Sequence, residues 1–519
     1  MRYIHRRLDV KWYILLICWN SYRLRTMSQV QIARQPTAHR PEVTAATPRK
    51  PLYLANAETL ERQIRSGILR VGDKVPSIRA LRQQLGVSAG TALQAYFWLE
   101  NRGCIEARPR SGFYVRVPFA DLSPEPTYEQ IKPVPKGVGL TRVISEILQA
   151  VANPHHIVAL AAASPAAELL PNWKLNKLLA GVVRNLPLHS ASYSFPPGVE
   201  ELRRQIARRS LQLGCNFSPR DIVVTCGAME ALNLALRAVV KSGEVVAVES
   251  PTFFSILQMI ESLGMKAVEI PTHPRTGMDL NILEHSIRKH HVGACIAMTN
   301  CHNPLGYILS DDLKKQLVEL VSKYDVALIE DDVYGDLAFQ DRRPRTAKGY
   351  DRKGLALLCS SFSKVLAPGY RIGWLHAGSY RTTVEQLKFI NTVATPSLQQ
   401  LVVAKFLESG GYERHVRRLR RTFAEQLHMF SRAIAKYFPE GTRVSRPAGG
   451  FVLWIELPPR VDAVKLYRNA LRENISVLPG PIFSATSRFT NCIRLSCAAK
   501  WSEALDRALL TLGRLCQKN

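Results

Sequence analysis

The sequence predicts an α/β protein: a mostly parallel sheet covered on both faces, a small basic helical domain before it and an α+β lobe after it. Three observations predict this. From about His156 onward, short apolar runs alternate with helical stretches, the order that builds parallel sheets with crossover helices. Residues 51–118 instead show three short helical periods closed by a basic hairpin. The last hundred residues turn to shorter, mixed elements. At 519 residues the chain is long enough for two or three domains around a large core.

Charge separates these parts. Lys and Arg number 70 against 42 Asp and Glu, a net +28. Residues 1–118 hold 20 basic and 7 acidic residues, so an excess of 13 falls in under a quarter of the chain. A basic end suits nucleic-acid phosphates, where released counterions drive binding, although a generally basic surface has the same charge. Ten cysteines with no C-x-x-C pair point to reduced, buried thiols and a cytoplasmic setting. His155-His156 and His290-His291 lack partners at ligand spacing, so no metal is expected.

Residues 1–50 are expected to be a flexible extension. Trp12–Trp19 is apolar between basic residues, as in a signal peptide, but eight residues fall short of the roughly 20 that span a bilayer. No small-residue cleavage site follows, and Met27 is the expected initiator. No membrane partner is expected.

The basic segment reads as a winged helix-turn-helix over residues 51–118. Leu54–Ser66 is helical and Gly67 ends it. Ser77 caps the next helix, Ile78–Gln84. After the turn Gly86-Val87-Ser88, the helix Thr91–Asn101 buries Ala92, Ala95, Tyr96 and Leu99 on one face. Ile105–Arg108 and Phe113–Arg116 then pair around Pro109-Arg110-Ser111-Gly112. In this geometry the start of the second helix of the turn motif reaches base edges and flanking residues hold phosphates. Gly72-Asp73-Lys74-Val75-Pro76-Ser77-Ile78-Arg79-Ala80-Leu81, with Gly86-Val87-Ser88 and Ser111-Gly112-Phe113, resembles the GntR-type winged helix. That resemblance implies operator DNA as partner, read through Ser77, Arg79, Ser88, Thr91 and Arg110. One position departs: Ala89 stands where the family usually has Arg, so its operator sequence does not carry over.

Residues 119–155 read as a linker, stiffened by Pro124, Pro126, Pro133 and Pro135 and closed by an amphipathic helix at Leu140–Val151. The strands expected beyond it are Ile222–Thr225, Val245–Glu249, Ala294–Thr299, Val326–Ile329 and Ala356–Cys359.

The chemistry centres on Lys364. Ser361, Ser363 and Arg371 bracket it, and hydroxyls with a guanidinium suit a phosphate while an amine suits an aldehyde. Pyridoxal 5'-phosphate carries both groups. Gly227 turns a strand into a helix and aims the amides of Ala228 and Met229 at a phosphate. Asp331, at a strand's carboxyl end, suits a pyridine nitrogen, with Tyr334 and Asn303 for the ring oxygen. Phe253 supplies an aromatic cover, and Arg494 would grip a substrate carboxylate. Each residue alone also fits capping or a surface role; the set in this order carries the reading.

These motifs, with Tyr193-Ser194-Phe195-Pro196-Pro197-Gly198, Gly449-Gly450-Phe451 and Pro479-Gly480, resemble fold-type I aminotransferases, the aspartate aminotransferase-like group of pyridoxal-phosphate-dependent transferases. The resemblance over residues 156–519 implies large α/β and small α+β lobes, cofactor attachment at Lys364, and a homodimer in which Tyr193 reaches the neighbouring subunit's phosphate. It also implies catalytic roles for Lys364, Asp331 and Tyr334. Both halves together resemble the MocR subfamily of GntR-type transcriptional regulators. That implies a regulator sensing pyridoxal phosphate or an amino-acid effector; the alternative is a working aminotransferase with an accessory DNA-binding domain. The sequence permits residual transamination without showing turnover.

Overall fold

In the N-terminal domain, α1 (Leu52–Arg65), α2 (Ile78–Leu85) and α3 (Ala89–Asn101) precede a hairpin of β1 (Ile105–Arg108) and β2 (Gly112–Val115). Extended Ser77 accepts the Ala80 N–H and starts α2; Gly86, at φ +62°, ends it by donating to the Arg82 carbonyl. Ser88 Oγ accepts the Thr91 N–H at 3.0 Å, so α3 begins two residues before the expected Thr91. Ala92, Ala95, Tyr96 and Leu99 are fully buried, as their spacing requires. Tyr96 stacks on Phe113 with centroids 4.9 Å apart and donates its hydroxyl to the Pro76 carbonyl, tying α3 to the wing and to the turn before α2.

The computed structural model describes residues 51–519 except 66–67, 70–72, 102–103, 109–111, 116–122, 130, 138–143, 145, 148–157, 187–190, 341 and 519. The expectations for residues 1–50, for Arg110 and for most of the Leu140–Val151 helix lie outside the described residues.

Eight strands form the large sheet: β3 (Ile222–Thr225), β4 (Val245–Ser250), β5 (Lys266–His273), β6 (Gly277–Met278), β7 (Val292–Ala297), β8 (Ala327–Asp331), β9 (Ala356–Ser361) and β10 (Gly373–His376). Their order is β3-β10-β9-β8-β7-β4-β5-β6. The run β9-β8-β7-β4-β5 is parallel, while β10 is antiparallel to both neighbours and β6 to β5. Every residue of β3, β4, β8, β9 and β10 is buried, which a sheet covered on both faces demands. Of the expected strands only β3 keeps both boundaries; the others shift by one or two residues, and two of the shifts have a visible cause or consequence. β7 stops before Thr299 because the Met298 N–H leaves the ladder for the Glu249 carboxylate at 2.9 Å. β8 runs two residues past Ile329, carrying Glu330 and Asp331 within the strand.

The small lobe holds an antiparallel sheet, β11 (Arg443–Val444), β12 (Val452–Glu456), β13 (Leu478–Pro479) and β14 (Cys492–Ser496), in the order β11-β12-β14-β13. Its core joins Phe430, Ile434, Leu453, Ile455, Leu509 and Leu512. Val158–Ala159 pairs with Ile475–Ser476, so the start of this domain belongs to the small lobe.

The linker is not a free spacer where it is described. Val444 N–H donates to the Pro124 carbonyl at 2.7 Å, and Thr127 donates its N–H to Glu456 at 2.6 Å. The Glu125 carboxylate meets Arg275 of the large lobe at 2.5 Å and Arg446 of the small lobe at 4.0 Å. Lys136 exchanges two backbone hydrogen bonds with Ala267 of β5. A prolyl-rich segment has little entropy to lose on such docking.

Eight of the nine cysteines among the described residues are buried. No helix among these residues is long and apolar enough to cross a membrane.

Candidate functional site

The phosphate-binding candidates converge at the carboxyl ends of β3 and β9. Gly227, at φ +85°, opens α4 (Ala228–Val239) with its first-turn amides unpaired within the helix. A Cβ on Gly227 would lie 2.3 Å from Arg371 Nη2 and displace that guanidinium, and φ +85° itself favours glycine. Arg371 donates to Ser363 Oγ at 3.3 Å and to the Cys226 carbonyl at 3.2 Å. Ser361 and Ser363 hydroxyls lie 2.8 Å apart. Gly227, Ser361, Ser363 and Arg371 therefore lie together, with the Ala228 and Met229 amides next in the chain, and these groups offer N–H, O–H and guanidinium donors.

At the end of β8 three acids meet different fates. Glu330 accepts the hydroxyl of Thr299 and the N–H groups of Ala347 and Lys348. Asp332 pairs with Arg343 and accepts from Asn300 Nδ2 at 3.0 Å. Asp331 accepts, among the described residues, only the Val333 N–H at 3.3 Å. It is 3% exposed, and burial, then the Asp332 charge, raise its carboxyl to about 7. Two acids hold the fold together; the third waits for a cation. Asp331 keeps one local bond of the capping kind, and what sets it apart from Glu330 and Asp332 is that it has no second donor among the described residues.

Lys364 donates its ammonium to the Ala163 carbonyl at 2.5 Å, and Nζ lies 5.9 Å from the centre of the Tyr334 ring. Burial, then nearby Arg494, bring it down to about 8, so a sizeable neutral fraction exists near pH 8. Arg494 is 1% exposed, donates to the Ala161 carbonyl, and keeps a buried Nε with no partner among the described residues. Asn303 is buried, and its Oδ1 has no partner among the described residues. Phe253 leads into the helix Phe254–Ser262 and packs edge-on against Phe254. Tyr193 stands apart, 74% exposed beside Phe195 rather than among this chain's own phosphate donors.

On the winged domain, Arg79 and Ser88 are exposed and Thr91 is half-buried. Ser77 and Ser88 both accept helix N–H groups, and the Ser88 and Thr91 hydroxyls lie 2.9 Å apart. Arg79 offers an exposed guanidinium fork on the first turn of α2; the hydroxyls act mainly in placing helix starts.

Several participants were missed. Glu230 accepts the Cys226 N–H at 2.6 Å and the Lys388 ammonium at 2.7 Å, bracing the turn that carries Gly227. Burial pushes the Glu230 carboxyl up, but Lys388, the Cys226 N–H and Thr392 outweigh it and leave it below the usual range. The acid at the start of α4 was a visible signal; its partner, far along the chain, was not. The Ala161 and Ala163 carbonyls carry no signal, because any residue type offers one.

Known proteins match both parts. The class I and II aminotransferase family matches residues 156–512, and the gntR family of bacterial regulatory proteins matches residues 52–115. The uncharacterized HTH-type transcriptional regulator YdcR of Escherichia coli K12 is 40% identical over 466 residues, covering 90% of this chain and 99% of its own length. YjiR, of the same organism and likewise an uncharacterized HTH-type regulator, is 39% identical over 467 residues, covering 89% of this chain and 98% of its own. Among solved structures, LysN is an α-aminoadipate aminotransferase of Thermus thermophilus, complexed with N-(5'-phosphopyridoxyl)-L-leucine. It aligns with a TM-score of 0.68 at 27% identity, over 73% of this chain and 95% of its own. With a fold-type I aminotransferase domain joined behind a gntR-family reader, this chain belongs to the class I and II aminotransferase family and, as a whole, to the MocR subfamily of GntR-type transcriptional regulators.

Proposed function

We propose that this regulator binds pyridoxal 5'-phosphate in the Lys364 site, senses the cofactor or an amino-acid adduct of it, and transmits the result to operator DNA. Residues 51–118 are the reader, 119–155 the linker and 156–519 the sensor. The observation that carries this is the lone Asp331 carboxyl facing a buried lysine and a donor cradle. The residues fit the cofactor: Gly227 leaves the Arg371 guanidinium its place, and the Asp331 carboxyl has no ion pair among the described residues.

When bound, the cofactor supplies a ring that accepts an electron pair from an amino acid's Cα. Lys364 Nζ supplies the attaching amine. Asp331 holds positive charge at the ring nitrogen, Asn303 and Tyr334 serve the ring oxygen, and Phe253 covers a face. Arg494 takes an amino acid's carboxylate by giving up the Ala161 carbonyl. Exposed Tyr193, Phe195, Phe389 and Ile390 favour a homodimer, since burying such a face against a second copy removes its cost in water. Working transamination is the second reading, favoured by Lys364 and Arg494 lying in one buried site.

Borohydride reduction of cofactor-loaded protein, followed by peptide mapping, is expected to place the phosphopyridoxyl mass on Lys364. A label spread over surface lysines contradicts the site assignment.

The docked linker is the route we propose to the reader. Glu125 and its neighbours engage both lobes, so a ligand that changes lobe spacing changes the linker's footing. Exposed ion pairs contribute about 0–1 kcal/mol each, while a coupling of about 1–3 kcal/mol changes occupancy several-fold. The double variant Glu125→Ala, Thr127→Ala is therefore expected to keep cofactor binding and to shrink the cofactor-induced change in DNA affinity several-fold. An unchanged response in fluorescence anisotropy contradicts this route.

A further inference from the structure

Behind the ring-contacting residues lies a buried cluster to which none of the roles above is given: Glu249, His302 and Tyr307. All three are 3% exposed or less. Glu249 is the penultimate residue of β4, just before the loop that carries Phe253. Its Oε2 accepts the Met298 N–H at 2.9 Å, and its Oε1 accepts the Tyr307 hydroxyl. His302 Nε2 lies 3.2 Å from the same Oε2, too bent for a straight hydrogen bond but in direct polar contact.

The imidazole is also wrapped by the turn that follows it. Nδ1 accepts the Leu305 N–H at 3.2 Å, so the ring's proton sits on Nε2, facing Glu249. The His302 N–H donates to the Tyr307 carbonyl at 3.0 Å, and the two rings stack with centroids 4.6 Å apart. Asn303 stands inside this turn. One buried carboxylate thus ties together the Phe253 loop, the end of β7 and the Asn303 turn.

We propose that Glu249 and His302, with Tyr307 stacked behind them, are positioning residues that hold the Asn303 amide against the cofactor's ring oxygen. A buried carboxylate costs free energy unless donors surround it, and a residue of smaller demand would fill the space at lower cost. What the cluster adds is a fixed spacing between two ring-contacting loops. The inference rests on the cofactor reading above.

The test is a pH titration of the visible absorption of the lysine-bound cofactor in the full chain. A donor to the ring oxygen stabilises its anionic form and lowers the titration midpoint. Asn303→Ala is therefore expected to raise the midpoint by about one unit, the size of a lost hydrogen bond to a charged oxygen. His302→Gln is expected to raise it toward the same value, and the double variant to add nothing further. A midpoint unmoved in folded His302→Gln, or additive rises in the double variant, overturns the proposal. Should His302→Gln fail to fold, Glu249→Gln carries the same expectation and the same contradiction. Wild-type protein with no visible band removes the cofactor reading itself, and the proposal with it.

Discussion

Asp331→Asn is expected to make the cofactor-free protein more stable and the cofactor-bound protein much harder to form. Burial, then Asp332, raise the Asp331 carboxyl to about 7, so the folded state binds that proton more tightly than the unfolded chain does. Folding is therefore penalised as pH rises above the ordinary value near 4, and the full penalty is in place above about 7. A shift of about three units corresponds to about 4 kcal/mol at most, at about 1.36 kcal/mol per unit. Asparagine removes the titration with little change of shape. Thermal melts of the cofactor-free proteins are expected to show a gain that is larger at pH 8 than at pH 5. The same change would remove the charge proposed to hold a protonated ring nitrogen, so cofactor affinity is expected to fall about 100-fold, or about 2.7 kcal/mol. A variant that is less stable at both pH values contradicts the account of Asp331 as an unpaired acid.

Arg343→Met is expected to give the opposite stability result. Arg343 is buried between Asp332 and Asp336, and Asp336 also meets Arg209 and the Tyr412 hydroxyl. Burial alone would raise the Asp336 carboxyl, but Arg343 and Arg209 hold it well below the usual carboxylate range. Its contribution is present above the ordinary value near 4 and is lost as pH falls. Removing the shared cation leaves the buried Asp332 without its ion pair and Asp336 with Arg209 alone among the described residues, a loss of about 3–5 kcal/mol. The deficit in melting temperature is expected at pH 7 and should narrow as pH falls below about 4. A deficit independent of pH would mean lost packing rather than lost charge. Asp332 sits beside Asp331, so the variant also tests how far this ion pair tunes the acid of the site.

Much of this was legible because local rules and tertiary fold agree. Ser77 and Ser88 cap the helices they precede, and Ala92, Ala95, Tyr96 and Leu99 form the buried stripe their spacing predicts. The apolar runs are buried parallel strands, and the motifs at their carboxyl ends meet because parallel strands present those ends on one edge. What was illegible depends on long-range pairing. Asp331 could be told from Glu330 and Asp332 only once the partners of the other two were in view. The Lys388 brace, the carbonyls that hold Lys364 and Arg494, and the docking of the linker share that cause. Tyr193 was legible as a motif, and in one chain it stands on the surface.

The central claim is that cofactor chemistry at Lys364 governs DNA binding through the N-terminal domain. The most direct measurement is fluorescence anisotropy of the full chain on the intergenic DNA upstream of its own gene, at fixed salt, with and without pyridoxal 5'-phosphate. The account predicts tight, salt-dependent binding over random DNA, changed several-fold by the cofactor and changed much less in Lys364→Ala. Binding no tighter than to random DNA, or a cofactor response that survives unchanged in Lys364→Ala, would contradict it and turn attention to amino-group transfer.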